Sequence, residues 1–271
     1  MTVQKKTDAP IPAIEVRDFR TGFDGKVLLE GLNFSVNPGE VFIILGGSGC
    51  GKSTLLKHMI GLYAPWSGSI RIFGRELTIA GERELNEIRK GFGVMYQSGA
   101  LFGSMTLLDN VSLPLRQWTR LPRKVIDEIA LWRLSLVGLG DYGDFRPDEI
   151  SGGMRKRAAI ARAMALEPKL LFLDEPSAGL DPITSADLDE LILSLSQSLG
   201  MTFVVVTHEL DSVFTIASRC IMLDKETRGI IGDGPPQDLR SNSDNPKVRQ
   251  FFSRQPSART TEKKNGETTS S

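Results

Sequence analysis

The chain has 271 residues, with 33 Lys plus Arg balanced by 33 Asp plus Glu, enough length for one large α/β domain. Zero formal net charge supplies no electrostatic field for gathering nucleic acid or an anionic bilayer, so neither is expected as a partner. Cys50 and Cys220, the 2 cysteines, have no metal-ligand spacing and form no disulfide framework, which fits a reducing cytosol.

Residues 1–12 are polar, carry Lys5 and Lys6 and lack the apolar centre of a signal peptide, so a disordered N-terminal arm is expected. Alternation at Ile14 and Val16, then at Leu32, Phe34 and Val36, predicts half-buried antiparallel strands joined by a turn near Asp24 and Gly25. Val41 to Leu45 is an unbroken apolar run, as in a central parallel strand. It leads into glycine-rich Gly46 to Gly51 and then a helical pattern through Leu55, Leu56, Met59 and Ile60. From Gly99 to Ile150 the character turns helical, with Val125, Ile129, Trp132 and Leu136 spaced as the apolar stripe of an amphipathic helix. Leu170 to Leu173 and Phe203 to Val206 then restore buried strands. The helix between them is marked by Leu188, Leu191, Ile192, Leu195 and Leu199 and stopped by Gly200. Asn245 and Pro246 start a further helix through Val248, Phe251 and Phe252, two aromatics that either pack on their own domain or reach a second subunit. The Ser, Thr, Lys, Glu and Gly of residues 253–271 predict a disordered tail. No apolar run approaches the ~18 residues of a membrane span, so transport across a bilayer would need another chain.

The loop Gly46, Gly47, Ser48, Gly49, Cys50, Gly51, Lys52, Ser53 and the adjoining Thr54 match the phosphate-loop pattern G-x-x-x-x-G-K-[ST]. Its glycines let backbone N–H groups close around phosphate oxygens, Lys52 reaches the β- and γ-phosphates, and Ser53 can ligate Mg²⁺. The following helix aims its positive end at the anion. Cys50 reads as a small filler, since no base lies beside it in sequence. Asp174 and Glu175 end a buried strand, where open α/β sheets place ligands. Asp174 can hold Mg²⁺ through its water shell, while Glu175 can orient or deprotonate the attacking water.

These features resemble the ABC ATPase family. Ser151-Gly152-Gly153-Met154, 23 residues before Asp174, resembles the family signature, with Ile150 and Met154 replacing the usual Leu and Gln. Small residues opening a helix would offer N–H groups and a hydroxyl to a γ-phosphate. The resemblance implies a P-loop NTPase fold of the ABC type: a RecA-like mixed-sheet core, an antiparallel β subdomain and an inserted helical subdomain. The ATPase domain is expected over 13–252, its helical subdomain over about 99–160 and its C-terminal hairpin and helix over about 219–252. It further implies ATP and Mg²⁺ as cofactors, and a homodimer in which each signature completes the nucleotide site of the other copy. Gln97 resembles the Q-loop ligand of Mg²⁺, Asp181 the D-loop residue at the dimer seam, and His208 the switch histidine contacting the γ-phosphate. Phe23 resembles the aromatic that stacks on adenine, a turn or buried aromatic being the alternative.

Within the family, the segments 96–102, 173–184 and 247–252 look most like the ATPases of MCE-type lipid transporters, the Mla pathway group, in which Met154 is typical. That likeness implies a polytopic membrane permease, an MCE-domain lipid-binding protein and, in some members, a small STAS-domain protein. The expected location is the cytoplasmic face of the inner membrane, held peripherally. An importer ATPase for another small solute is the alternative. So is a soluble ABC ATPase acting on ribosomes or chromosomes, against which stand the single phosphate loop and the lack of sustained heptads.

Overall fold

The computed structural model describes residues 11–253, so the expected arm and tail lie outside the described residues apart from Ile11, Pro12 and Ser253. Strands β1 (Ile14–Phe23) and β2 (Lys26–Val36) form an antiparallel hairpin. Asp24 and Gly25 both take left-handed backbone, φ 49° and 74°, the two-residue turn whose twist suits a hairpin. Strand β3 (Val41–Gly46) opens the second sheet and feeds helix α1 (Lys52–Met59). The chain returns to the first sheet through β4 (Ser67–Ile72) and the short β5 (Arg75–Glu76), giving the order β2-β1-β4-β5.

After α2 (Glu82–Arg89) and β6 (Phe92–Met95) comes the helical insertion, built from α3 (Leu107–Trp118), α4 (Arg123–Leu136) and α5 (Gly152–Ala163). Strand β7 (Leu170–Asp174), helix α6 (Pro182–Leu199) and strand β8 (Thr202–Val206) resume the core, followed by α7 (Leu210–Ile216). A hairpin of β9 (Arg219–Asp224) and β10 (Gly229–Gly234) precedes α8 (Pro236–Asn242) and α9 (Pro246–Phe252). The second sheet runs β10-β9-β3-β8-β7-β6, parallel except for the antiparallel edge strand β10.

The apolar runs are continuous because the central strands are covered on both faces. Phe42 and Ile44 of β3, with Val204 of β8 and Phe172 of β7, join α1 and the antiparallel sheet in one core. Val41, Ile43 and Leu45, with Leu171, Leu173, Phe203 and Val205, join the helices on the other side. Gly200 ends α6 in left-handed conformation as its position suggested. His58, assigned no role from sequence, is a satisfied core residue bonded at 2.9 Å to both Thr21 Oγ1 and the Tyr63 carbonyl.

The stripe expected on α4 is corrected. Of the expected residues Val125 and Trp132 are exposed, while Ile129 and Leu136 are half-buried, Ile129 packing on the core; Ile126, Ala130 and Leu134 are the buried ones. The buried ridge is spaced by four and includes an alanine, whose small side chain lets α4 approach its neighbours closely. At the C-terminus Asn245 Oδ1 accepts the Lys247 N–H to cap α9. Phe252 is buried and packs on Phe214 of the same domain, ring centroids 5.8 Å apart.

Candidate functional site

The C-terminal ends of β3, β8, β7 and β6 carry, in turn, the phosphate loop, His208, Asp174 with Glu175, and Gln97. Parallel strands aligned in register bring these segments together although they are scattered through the sequence. The loop begins at Gly46 with φ 145°, where a Cβ would lie 2.5 Å from the Leu223 carbonyl oxygen and from Cys50 Sγ. Only glycine fits there. Gly47, Ser48 and Gly49 are exposed, while Cys50 is buried and burial pushes its thiol up, which supports its reading as a filler. Lys52 Nζ arches back over the loop to donate to the carbonyls of Gly46 at 2.8 Å and Gly47 at 3.2 Å. Thr54 follows, half-buried, in the first turn of α1.

Ser53 Oγ donates to Asp174 Oδ1 at 3.4 Å across 121 residues of sequence. Burial and then the charge of Glu175 raise the Asp174 carboxyl, against the Ser53 hydrogen bond and the lysines Lys57 and Lys52. Two hard oxygen donors side by side suit Mg²⁺, which prefers a few protein oxygens completed by phosphate and water. Glu175 adopts φ 48°, a left-handed conformation costing a non-glycine residue about 1–3 kcal/mol. Its N–H donates to the Val206 carbonyl at 2.8 Å. Its carboxylate oxygens lie 2.9 Å from Nδ1 of His208. Sequence placed these two residues just past two separate buried strands; that the strands are neighbours, and that the residues bond directly, is visible only in the fold.

Gln97 is exposed just past β6. The segment after it is held by α5: Lys156 donates to the Gln97 carbonyl, and Arg162 to those of Gly99 at 2.9 Å and Ala100 at 2.7 Å. Lys156 Nζ also reaches the Glu175 carbonyl at 3.4 Å. Burial lowers the Lys156 amine, opposed by Glu175, Glu209 and Asp174. Neither cation stands out in the sequence, because a charged residue on a helix ordinarily reads as solvated. The signal lies in three dimensions, in carbonyl groups turned inward.

Ser151 caps α5, accepting the Met154 N–H at 3.2 Å while its own hydroxyl proton stays available as a donor. Gly152 and Gly153 form the first turn, packed near Leu180 and Thr184. Asp181 caps α6, accepting from the N–H groups of Ile183 at 3.1 Å and Thr184 at 3.0 Å and from Thr184 Oγ1 at 2.6 Å. Phe23 ends β1 about half exposed, at 52%. Among the described residues no hydrogen bond joins Ser151, Asp181 or Phe23 to the phosphate loop, so one copy of the chain gathers only part of the expected set.

Residues 29–178 match the family model described as ABC transporter. The chain is 42% identical over 240 residues to the probable ribonucleotide transport ATP-binding protein mkl of Mycobacterium leprae, covering 89% of this chain and 68% of that one. It is 40% identical over 240 residues to the intermembrane phospholipid transport system ATP-binding protein MlaF of Escherichia coli, covering 88% of each. Among solved structures, the dimeric post-hydrolysis ATP-binding cassette MJ0796 bound to ADP and Pi superposes with TM-score 0.74, at 28% identity over 82% of this chain and 98% of that one. The cassette cbiO1 of Clostridium perfringens, part of the ABC transporter complex cbiONQ, gives TM-score 0.79 at 29% identity over 85% and 91%. The phosphate loop, the strand-end carboxylates and these likenesses agree, and the chain belongs to the ABC transporter family as an ATPase subunit.

Proposed function

We propose that two copies of this chain close around two ATP molecules and that hydrolysis powers lipid transport, of phospholipid in the first instance, through a membrane permease. The observation that carries the reading is the convergence of Lys52, Ser53, Asp174, Glu175 and His208 at neighbouring strand ends. Lys52 would leave its loop carbonyls for the β- and γ-phosphates, with the N–H groups of Gly47 to Thr54 around them. Ser53, Gln97 and, through water, Asp174 would hold Mg²⁺, which neutralises charge developing on the phosphate oxygens. Glu175 would orient and deprotonate the attacking water, and His208, now bonded to that carboxylate, would turn to the γ-phosphate. Ser151, Gly152 and Gly153 would cap the γ-phosphate of the other copy, with Asp181 at the seam and Phe23 against adenine. This division explains why a single copy leaves its signature unbonded to its own phosphate loop.

Likeness to MlaF over nearly the full length of both chains supports phospholipid as cargo. A polytopic permease, an MCE-domain protein and, in some complexes, a STAS-domain protein are the partners that the resemblance to Mla-type ATPases implies. Among the described residues no helix is long and apolar enough to cross a membrane; the proposed location is the cytoplasmic face of the inner membrane, held peripherally by the permease. The likeness to mkl favours a second reading, a ribonucleotide as cargo.

Glu175→Gln should bind ATP, form a stable dimer and lose turnover by at least about 100-fold; robust hydrolysis in that variant removes the catalytic assignment. Isolation of the complex from membranes distinguishes the cargo readings. Stoichiometric permease and MCE subunits with bound phospholipid support the first, ribonucleotide bound to the permease supports the second, and co-purifying ribosomal RNA or DNA rejects both.

A further inference from the structure

Lys156 lies five residues beyond Ser151 on the same helix, yet it is buried, at 7% exposure. Its ammonium meets two main-chain carbonyls from different strands, those of Gln97 after β6 and Glu175 after β7. Neither bond is local, the partners being 59 and 19 residues away. An ammonium is suited to this because it carries three donors and no acceptor, and charge-assisted bonds exceed neutral ones in strength.

The Glu175 contact has a specific consequence. Glu175 holds left-handed backbone, and such a conformation persists only where its surroundings over-determine it. Two bonds do so here, one from the Glu175 N–H to Val206 and one from Lys156 to the Glu175 carbonyl. The same ammonium fixes the chain at Gln97. Arg162, further along α5, fixes Gly99 and Ala100, so the helix bearing the signature also supports the loop bearing Gln97.

We infer that Lys156 is a positioning residue that holds the catalytic glutamate and the Gln97 loop in register with the signature helix, and so links the two nucleotide sites of the dimer. The inference rests on the proposed division of labour: Ser151 serves the nucleotide of the other copy, while Glu175 and Gln97 serve their own. A displacement of α5 when Ser151 engages a phosphate would then be passed through Lys156 to the water-activating carboxylate of its own copy.

The test uses the full chain as Lys156→Met, which keeps length and loses all donors, and Lys156→Arg, which keeps a charged donor. Because a misplacement of about 1 Å can cost on the order of 100-fold in rate, Lys156→Met should lower kcat by about 10- to 100-fold. Its KM for ATP should stay within about threefold, since the phosphate loop is untouched. The Hill coefficient for ATP should fall towards 1, and Lys156→Arg should recover at least about a third of the lost rate. A purely structural role predicts lower thermal stability with unchanged kcat and Hill coefficient per folded molecule, and that result overturns the inference. So does a Lys156→Arg enzyme as slow as Lys156→Met, or a wild-type Hill coefficient of 1. Glu175→Gln run in parallel separates the two ideas: if it hydrolyses ATP, the site reading fails. If it is inert while Lys156→Met turns over normally, only the role of Lys156 fails.

Discussion

Asp189 of α6 is buried, at 4% exposure, in the floor of a cleft shared with Ser185, His208, Glu209 and Phe251. Burial pushes its carboxyl up from 3.8 to about 6, a Ser212 hydrogen bond opposes this, and Glu209 adds to it. With the folded value above the unfolded one, the stabilisation belongs to the protonated form. It is fully present below about pH 4 and is lost as pH rises through 6. Ionising the buried group in the fold therefore costs about 3 kcal/mol, taking 1.4 kcal/mol per pH unit of separation. Asp189→Asn preserves the shape and an oxygen to accept from Ser212 but cannot ionise. It should be more stable than wild type by about 3 kcal/mol at pH 8, by roughly half that at pH 5, and by little at pH 4. Urea unfolding of the nucleotide-free protein at the three pH values measures this, since a change in midpoint at constant slope reports stability. An Asp189→Asn advantage that does not vary with pH, or a loss of stability at pH 8, refutes the reasoning.

Further substitutions probe the start of α5 and the packing of α4. A Cβ at Gly153 would lie 2.4 Å from the Thr184 methyl, and Thr184 cannot turn aside without breaking its 2.6 Å bond to Asp181. Gly153→Ala should therefore displace the start of α5, cost about 1–3 kcal/mol and depress ATPase activity in a steady-state assay. Thr184→Ser removes that methyl, keeps the hydroxyl and should restore activity in the double variant, whereas an unaffected single variant contradicts the packing argument. On α4, Leu134→Ala should cost about 2–5 kcal/mol in chemical denaturation. Trp132→Ala, exposed and stacked only 4.3 Å from the Arg133 guanidinium, should cost about 1 kcal/mol or less; the reverse ranking would return the buried face to the larger side chains.

Much of the architecture was legible because two patterns in the chain are strictly local. The hairpin of β1 and β2 followed from alternation and a turn whose residues accept left-handed backbone. The central strands followed from unbroken apolar runs, which a strand needs only when both its faces are covered. The phosphate loop was equally plain, because its glycines, Lys52 and Ser53 are contiguous and each answers a requirement of phosphate binding. The face of α4 was misread for the converse reason: burial there depends on how closely a neighbouring helix approaches, and Ala130 permits what Trp132 forbids.

By itself the sequence determined a glycine-rich phosphate-loop pattern after one apolar run and an acidic pair after another. The tertiary structure decided how those parts bear on one another. It put Ser53 beside Asp174 and His208 on the Glu175 carboxylate, turned Glu175 into left-handed backbone, and drew a lysine of the signature helix beneath two carbonyls. Hydrogen bonds between residues far apart in the chain leave no local pattern, since their energy depends on distance and angle between elements and not on neighbours in sequence.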